Sequence, residues 1–257
     1  MSRLLGKRAL VTAGAQGIGL AISRHLLQAG CDVFVHYRSS AEAARALASE
    51  AAALGRRAGC ANADLTETRE GERLVREAVA FLGGLDLLIN NAGSLIARRS
   101  LAEADDAFWE ETLSLNLGSL RRITRAAVPH LAEAARTRGG AAIVNLSSLA
   151  GRKGGHAGSL AYATSKGAVL TFTRALSSEL GPQGIRVNAL APGLILGTSF
   201  HNTHTTPESA LATVAGIPLG RAGNADDVAR AAVFLAGEFD GFITGATLDI
   251  NGGVYCA

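Results

Sequence analysis

Strand-length apolar runs that do not alternate with polar residues recur along this chain, and each is followed by a segment of helix length. That rhythm limits the folds open to it. Residues 8–12, 32–37, 86–90, 141–146 and 185–190 read as strands, with another ending near Asp64 and a last one at 247–250. Residues 18–28, 41–54, a segment ending near Phe81, 106–136 with a bend at Pro129, 159–180 and 226–236 read as helices. A strand rich in Val, Ile and Leu in every position must be covered on both faces, as in a parallel sheet between two helical layers. Repeated right-handed βα units then give an α/β architecture with a doubly wound parallel sheet. No linker, repeat or low-complexity tract interrupts residues 1–257, which read as a single domain.

Composition narrows the possible partners. With 48% hydrophobic and 18% charged residues among 257, the chain suits one compact globule with a large core. The formal net charge of +3 is spread along the chain and not gathered in a basic tail. That argues against nucleic acid and allows small anionic ligands. Cys31, Cys60 and Cys256 are an odd number without metal-ligand spacing, so free thiols in a reducing compartment are expected. Residues 1–8 carry Arg3, Lys7 and Arg8 and run directly into a strand, with no signal-like or membrane-spanning apolar segment. The expectation is a cytoplasmic protein with no membrane partner.

The turn after the first strand reads Thr12-Ala13-Gly14-Ala15-Gln16-Gly17-Ile18-Gly19. Glycines between a strand and a helix let the backbone approach a pyrophosphate, and the helix N-terminus then offers free N–H groups to it. The fold becomes a dinucleotide-binding, Rossmann-type sheet, with Gln16, Gly17, Ile18 and Gly19 at the phosphates. The second strand ends in Tyr37-Arg38-Ser39-Ser40 without a carboxylate. Arg38 with the two hydroxyls of Ser39 and Ser40 suits a ribose 2′-phosphate, which favours NADP and leaves NAD open. Asp64, beside Leu65, is placed to accept from an adenine amine or to cap the following helix.

Tyr162 and Lys166 lie four residues apart on one predicted helix face, which sets a phenol beside an ammonium. A cation there favours the phenolate and brings the tyrosine toward neutral-pH acid–base work. Ser148 stands upstream at the end of an apolar strand. Together with Asn90-Asn91-Ala92-Gly93, Asn116, Pro192-Gly193, Ile243-Thr244-Gly245 and Asn251-Gly252-Gly253, these residues resemble the short-chain dehydrogenase/reductase family in its single-domain form, nearly end to end.

That resemblance implies four catalytic positions. Tyr162 exchanges a proton with the substrate oxygen, Lys166 tunes it and meets the nicotinamide ribose, Ser148 polarises the carbonyl, and Asn116 holds a water in the proton path. It also implies that Asn91, Ala92 and Gly93 line the cofactor ribose, that Ile195 after Pro192-Gly193 meets the nicotinamide amide through its backbone, and that Thr198 reaches the same end. A homotetramer follows from the resemblance. Two departures stand out: Ala13 replaces the family's first turn glycine, which costs little at negative φ and more at positive φ, and Gln16 stands where NADP-preferring members often carry a basic residue.

A lid is expected at about 194–216, and its polar stretch 200–206 holds His201 and His204. A lid for a long acyl chain is expected to be more aliphatic. Arg98 and Arg99 follow the Asn-Asn-Ala-Gly turn, and Arg152, Lys153 and His156 follow Ser148. Loops after the strands converge on one crevice, so Arg98, Arg152, His156 and His201 are candidate substrate contacts. They suit a small-molecule carbonyl substrate with hydroxyls and a carboxylate, such as a keto sugar acid of the deoxy-uronate type. The alternatives are a 3-oxoacyl-carrier-protein reductase, with Arg121, Arg122 and Arg125 as basic carrier contacts, and a nucleotide-sensing binding protein without turnover. The pair His201 and His204 lacks a third ligand, and no metal is expected.

Overall fold

The computed structural model describes residues 4–237 and 241–256, and for residues 199–201 the backbone alone. Seven parallel strands form one sheet: β1 (Arg8–Val11), β2 (Asp32–Tyr37), β3 (Ala58–Asn62), β4 (Leu87–Asn90), β5 (Ala141–Leu146), β6 (Ile185–Pro192) and β7 (Thr247–Ile250), in the order β3-β2-β1-β4-β5-β6-β7. The order reverses between β1 and β4. A crevice opens there beyond the carboxyl ends of the strands, where such folds bind ligands.

Successive strand residues explain the absence of alternation in the sequence. Ala9, Val11, Val33, Val35, Leu87, Ile89 and Val144 enter one buried cluster, with α1 (Gly17–Gln28), α2 (Ala41–Ala53) and α10 (Ala225–Gly237). Leu10, Phe34, Leu88, Ile143 and Val187 enter the other, with α3 (Glu70–Leu82), α5 (Ser119–Arg138) and α7 (Leu160–Leu180). Each strand is therefore apolar on both sides because each side has its own helical layer.

The predicted long helix at 106–136 is not one helix bent at Pro129. α4 (Asp106–Leu113) and α5 are joined by a π-helical turn, Ser114–Gly118, in which the Ser119 N–H donates to Ser114 O. Pro129 sits inside α5. Its missing donor orphans the carbonyl four residues back, at Arg125, and both residues lie on the exposed face where water can replace the bond. Three short helices had no counterpart in the sequence reading: α6 (Leu149–Lys153), α8 (Ser199–His204) and α9 (Pro207–Ala215). The third strand ends at Asn62, two residues before the expected Asp64.

Candidate active site

The turn after β1 is held from three sides. Thr12 Oγ1 accepts from the backbone N–H groups of Asn91, at 2.8 Å, and Ala92, at 2.9 Å. Asn91 Nδ2 donates to the carbonyls of Thr12 and Ala13, at 3.1 and 3.2 Å. From β2, His36 accepts the Ala13 N–H at Nδ1 (3.0 Å) and donates from Nε2 to Ala63 O (3.0 Å). This fixes a neutral tautomer, and burial lowers the imidazole pKa. Ala13 adopts φ +48°. A left-handed alanine costs about 1 kcal/mol, so these bonds hold a strained turn in place.

Gly19 has no room for a side chain, because a Cβ would overlap the Ala13 carbonyl and reach within 2.6 Å of Asn91 Nδ2. The first turn of α1 carries no carboxylate. Its N-terminus thus presents unopposed backbone donors, the chemistry a pyrophosphate requires.

A hollow beside this turn is lined by Gln16, His36, Arg38, Ser39, Ser40, Ala63, Asp64, Leu65, Ala92 and Gly93. Ser40 Oγ donates to Gln16 Oε1 (2.9 Å) and so links the first two βα turns. Asp64 is committed locally: its Oδ1 accepts from the Thr66 N–H at 2.9 Å and the Thr66 hydroxyl at 2.6 Å, which lowers its pKa. Its other oxygen faces Arg38 at 3.6 Å. The residues present fit the adenosine half of a dinucleotide.

The larger cleft, of about 270 Å³, lies beyond β4, β5 and β6. Two residues past the end of β5, Ser148 is the N-cap of α6, where its hydroxyl accepts the Ala150 N–H (3.1 Å), and it is hydrogen-bonded to the Tyr162 phenol. A carbonyl oxygen in the cleft beside both hydroxyls could accept from both. Lys166, on α7 one turn after Tyr162, is buried and donates to Leu146 O at 2.8 Å, with Nζ 5.9 Å from the phenol ring centroid. Ser147 donates to Lys166 O (2.7 Å), so it braces the helix that carries the pair.

The expected lowering of the Tyr162 pKa is corrected here. Burial pushes the phenol up to about 12, against a smaller downward pull from Ser148, and burial brings Lys166 down to about 8. The ammonium bonds a backbone carbonyl and not the phenolic oxygen, so loss of water outweighs the neighbouring charge.

Asn116 is fully buried at the centre of the π turn. Its Oδ1 accepts the Ser94 N–H (3.0 Å), and its Nδ2 donates to Ser94 O (2.9 Å) and Thr112 O (3.0 Å). The side-chain amide thus braces the segment after β4. Gly93 lies against it, where a Cβ would stand 2.6 Å from Asn116 Oδ1 and 2.9 Å from Lys166 Nζ.

Pro192, Gly193, Ile195 and Thr198 line the same cleft. The bridge to Gly223 uses Leu194 O and the Leu196 N–H, which turns Ile195's own N–H and carbonyl to the opposite side. Thr198 Oγ1 donates to that carbonyl at 3.1 Å.

Of the candidate substrate contacts, Arg98 and His156 line the cleft. Arg98 donates to Ala157 O (3.1 Å) and His204 O (3.4 Å), bridging two of the walls. Arg152 does not line it, which corrects the sequence expectation. Its guanidinium forms a two-pronged pair with Asp249 on β7, 3.0 Å on each arm, and lies over Tyr255. The neighbouring Lys153 faces the cleft in its place. The side chain of His201 lies outside the described residues. His36 and Ser147 were missed; a lone histidine inside an apolar strand beside a glycine turn was the one signal available for His36.

A strand-reversal crevice with a glycine cradle and a Ser–Tyr–Lys group defines a nicotinamide-dependent oxidoreductase. The sequence profile of a family described as enoyl-(acyl carrier protein) reductase matches residues 12–255. The 3-oxoacyl-[acyl-carrier-protein] reductase FabG of Staphylococcus aureus is 34% identical over 249 residues, covering 97% of this chain and 98% of that one. The crystal structure of A1-R′, an NADH-dependent reductase responsible for alginate metabolism, superposes with a TM-score of 0.91 at 34% identity over 100% of both chains. A short-chain dehydrogenase of Burkholderia cenocepacia in complex with NADP superposes at 0.89 with 36% identity, covering 98% and 99%. The chain belongs to the short-chain dehydrogenase/reductase family and is an NAD(P)-dependent dehydrogenase or reductase.

Proposed function

We propose that this protein is an NADP-preferring carbonyl reductase acting on a polar keto sugar acid of the deoxy-uronate type. The observation that carries the reading is the charge of the cleft. Arg98, Lys153, His156 and Lys166 line it, and no Asp or Glu lines it among the described residues. A carboxylate-bearing substrate finds cations there and nothing that repels it. The likeness to A1-R′, a reductase of alginate metabolism, supports the same class.

A bound nicotinamide would supply a hydride to the carbonyl carbon. The proton for the carbonyl oxygen comes from the Tyr162 phenol, and Ser148 donates a hydrogen bond to the same oxygen. Lys166 binds the nicotinamide ribose and keeps a positive charge behind the phenol as negative charge develops on it. Asn116 fixes the Ser94 segment and so the shape of the cofactor wall. Gln16–Gly19 with Asn91, Ala92 and Gly93 hold the phosphates and riboses. Residues 194–216 form the lid.

Arg38 and Ser39 carry the preference for NADP, since β2 ends without a carboxylate and Arg38 reaches across the hollow to Asp64. Arg38→Ala is expected to raise KM for NADPH about 10-fold and to change KM for NADH less than 2-fold, as befits a charge-assisted contact made only to the 2′-phosphate. Equal changes for both cofactors would remove the assignment. The edge strand β7, with its own Leu248 exposed along with Leu219 and Phe242, supports assembly into a tetramer.

The similarity to FabG favours a second reading, reduction of a 3-oxoacyl thioester. Within the described residues Arg122 is spent internally on Leu65 O and Thr66 O, and Arg125 is paired with Glu72, which leaves Arg121 alone of the three for an acidic carrier. Oxidation of NADPH with a keto-uronate and with an acetoacetyl thioester separates the two. A higher kcat/KM with the keto-uronate is expected, and a higher value with the thioester would overturn the sugar-acid reading.

A further inference from the structure

Helix α9 has no buried residue, yet one row of it faces the cleft. That row begins just before the helix and runs through residues spaced by four: Thr205, Ser209, Thr213 and, past the end, Ile217. On a helix this spacing keeps side chains on one face. Three hydroxyls in line, with a single aliphatic residue at the deep end, form an unusual inner surface for a lid.

Ser209 and Thr213 both keep hydroxyl oxygen lone pairs that can accept. Thr206, not Ser209, caps the helix, accepting the Ser209 N–H at 3.2 Å. Thr213 donates to Ser209 O (2.8 Å) and keeps its oxygen lone pairs. Arg98, Lys153 and His156 line the same cleft, on the segments that follow β4 and β5. Arg98 Nη2 reaches His204 O near the start of this row, so charge and hydroxyl row meet at one end of the lid.

We infer that the Ser209–Thr213 row of α9 is the subsite that reads the hydroxyl groups of the substrate, and that it selects a polyhydroxylated acid over an unhydroxylated keto acid of similar charge. This inference rests on the sugar-acid reading above and adds the residues that decide it. A neutral hydrogen bond contributes on the order of 1 kcal/mol, or about 5-fold in binding, so two lost hydroxyls amount to about 10- to 30-fold. A hydroxyl on the lid engages the substrate body and not the reacting carbonyl, so its loss enters KM and leaves kcat nearly unchanged.

The test uses the full chain with NADPH and two substrates, a deoxy keto-uronate and 2-oxobutanoate, which has a carboxylate and no hydroxyl. Ser209→Ala with Thr213→Val is expected to raise KM for the keto-uronate about 10-fold or more. It should change kcat less than 2-fold and leave both constants for 2-oxobutanoate and KM for NADPH within 2-fold. Thr213→Ser, which keeps the hydroxyl, should stay at the wild-type KM. Equal changes for both acids, or none for the keto-uronate, would overturn the inference while the function stands. A wild-type enzyme that does not saturably reduce the keto-uronate would overturn the function itself, and the inference with it.

Discussion

Tyr162→Phe is expected to lower kcat about 1000-fold while NADPH affinity, read by quenching or enhancement of its fluorescence, changes less than 3-fold. The substitution removes one oxygen from a half-buried side chain and leaves the ring that lines the cleft. Ser148 keeps its bond to the Ala150 N–H, so its hydroxyl stays in place. Lys166 keeps its bond to Leu146 O. What disappears is the proton donor, and a positioned general acid contributes about 100- to 10,000-fold. Unchanged turnover would show that the proton comes from another group.

The same site sets an expectation for pH. The phenol, pushed up to about 12, stays protonated and ready to donate across the neutral range. Lys166, brought down to about 8, is the group that changes state within reach of ordinary buffers. Because kcat/KM reports the free enzyme, the reductive kcat/KM should hold level below pH 8 and fall above it as the ammonium loses its proton. A profile that instead falls below pH 8 would contradict the assignment.

How much of this was legible depended on whether a residue's neighbours left a mark on the chain. The strands were legible because both of their faces are buried, so Val33, Phe34 and Val35 could all be apolar although they point to different helical layers. The meeting of Ser148, Tyr162 and Lys166 at one cleft was legible from their residue types and spacing. The π turn was not, since widening a helix by one residue at Ser114–Gly118 needs no special composition, whereas Pro129 advertises a break that solvent repairs. α9 left no periodic trace because a helix without buried positions has no apolar stripe to display. Arg152 was misread for a related reason: sequence order placed it beside Ser148, but its partner Asp249 is 97 positions away on β7. The sign of φ at Ala13, left open by the sequence, is positive.

Asp86→Ala tests the other end of the sheet, away from the cleft. Asp86 precedes β4 and is fully buried. Its Oδ2 accepts the Arg8 backbone N–H at 2.8 Å and Arg8 Nε at 2.7 Å, and its Oδ1 accepts Arg8 Nη2 at 3.2 Å and Arg138 Nε at 3.0 Å. Lys7 stands beside them, donating to the carbonyls of Arg138 and Gly140 at 3.1 Å each, with its pKa lowered by burial first and by the two arginines after. One carboxylate therefore holds together the start of β1, the approach to β4 and the end of α5, and it offsets three cations. Without it the Arg8 N–H loses its acceptor and the cations repel one another. Breaking such a buried pair costs about 3–5 kcal/mol. Arg138 is 41% exposed and can turn to water, so the lower figure is expected, about 3 kcal/mol, or roughly 6–12 °C in Tm for a chain of this size. At 25 °C the surviving folded enzyme should keep kcat and KM within 2-fold, because the cleft lies beyond the opposite ends of the strands. Asp86→Asn, which keeps an acceptor for the Arg8 N–H and loses the charge, should fall between the two. An unchanged Tm in Asp86→Ala would mean that the arginines are as well served by water as by this carboxylate, and that the N-terminal edge of the sheet is held by its apolar contacts alone.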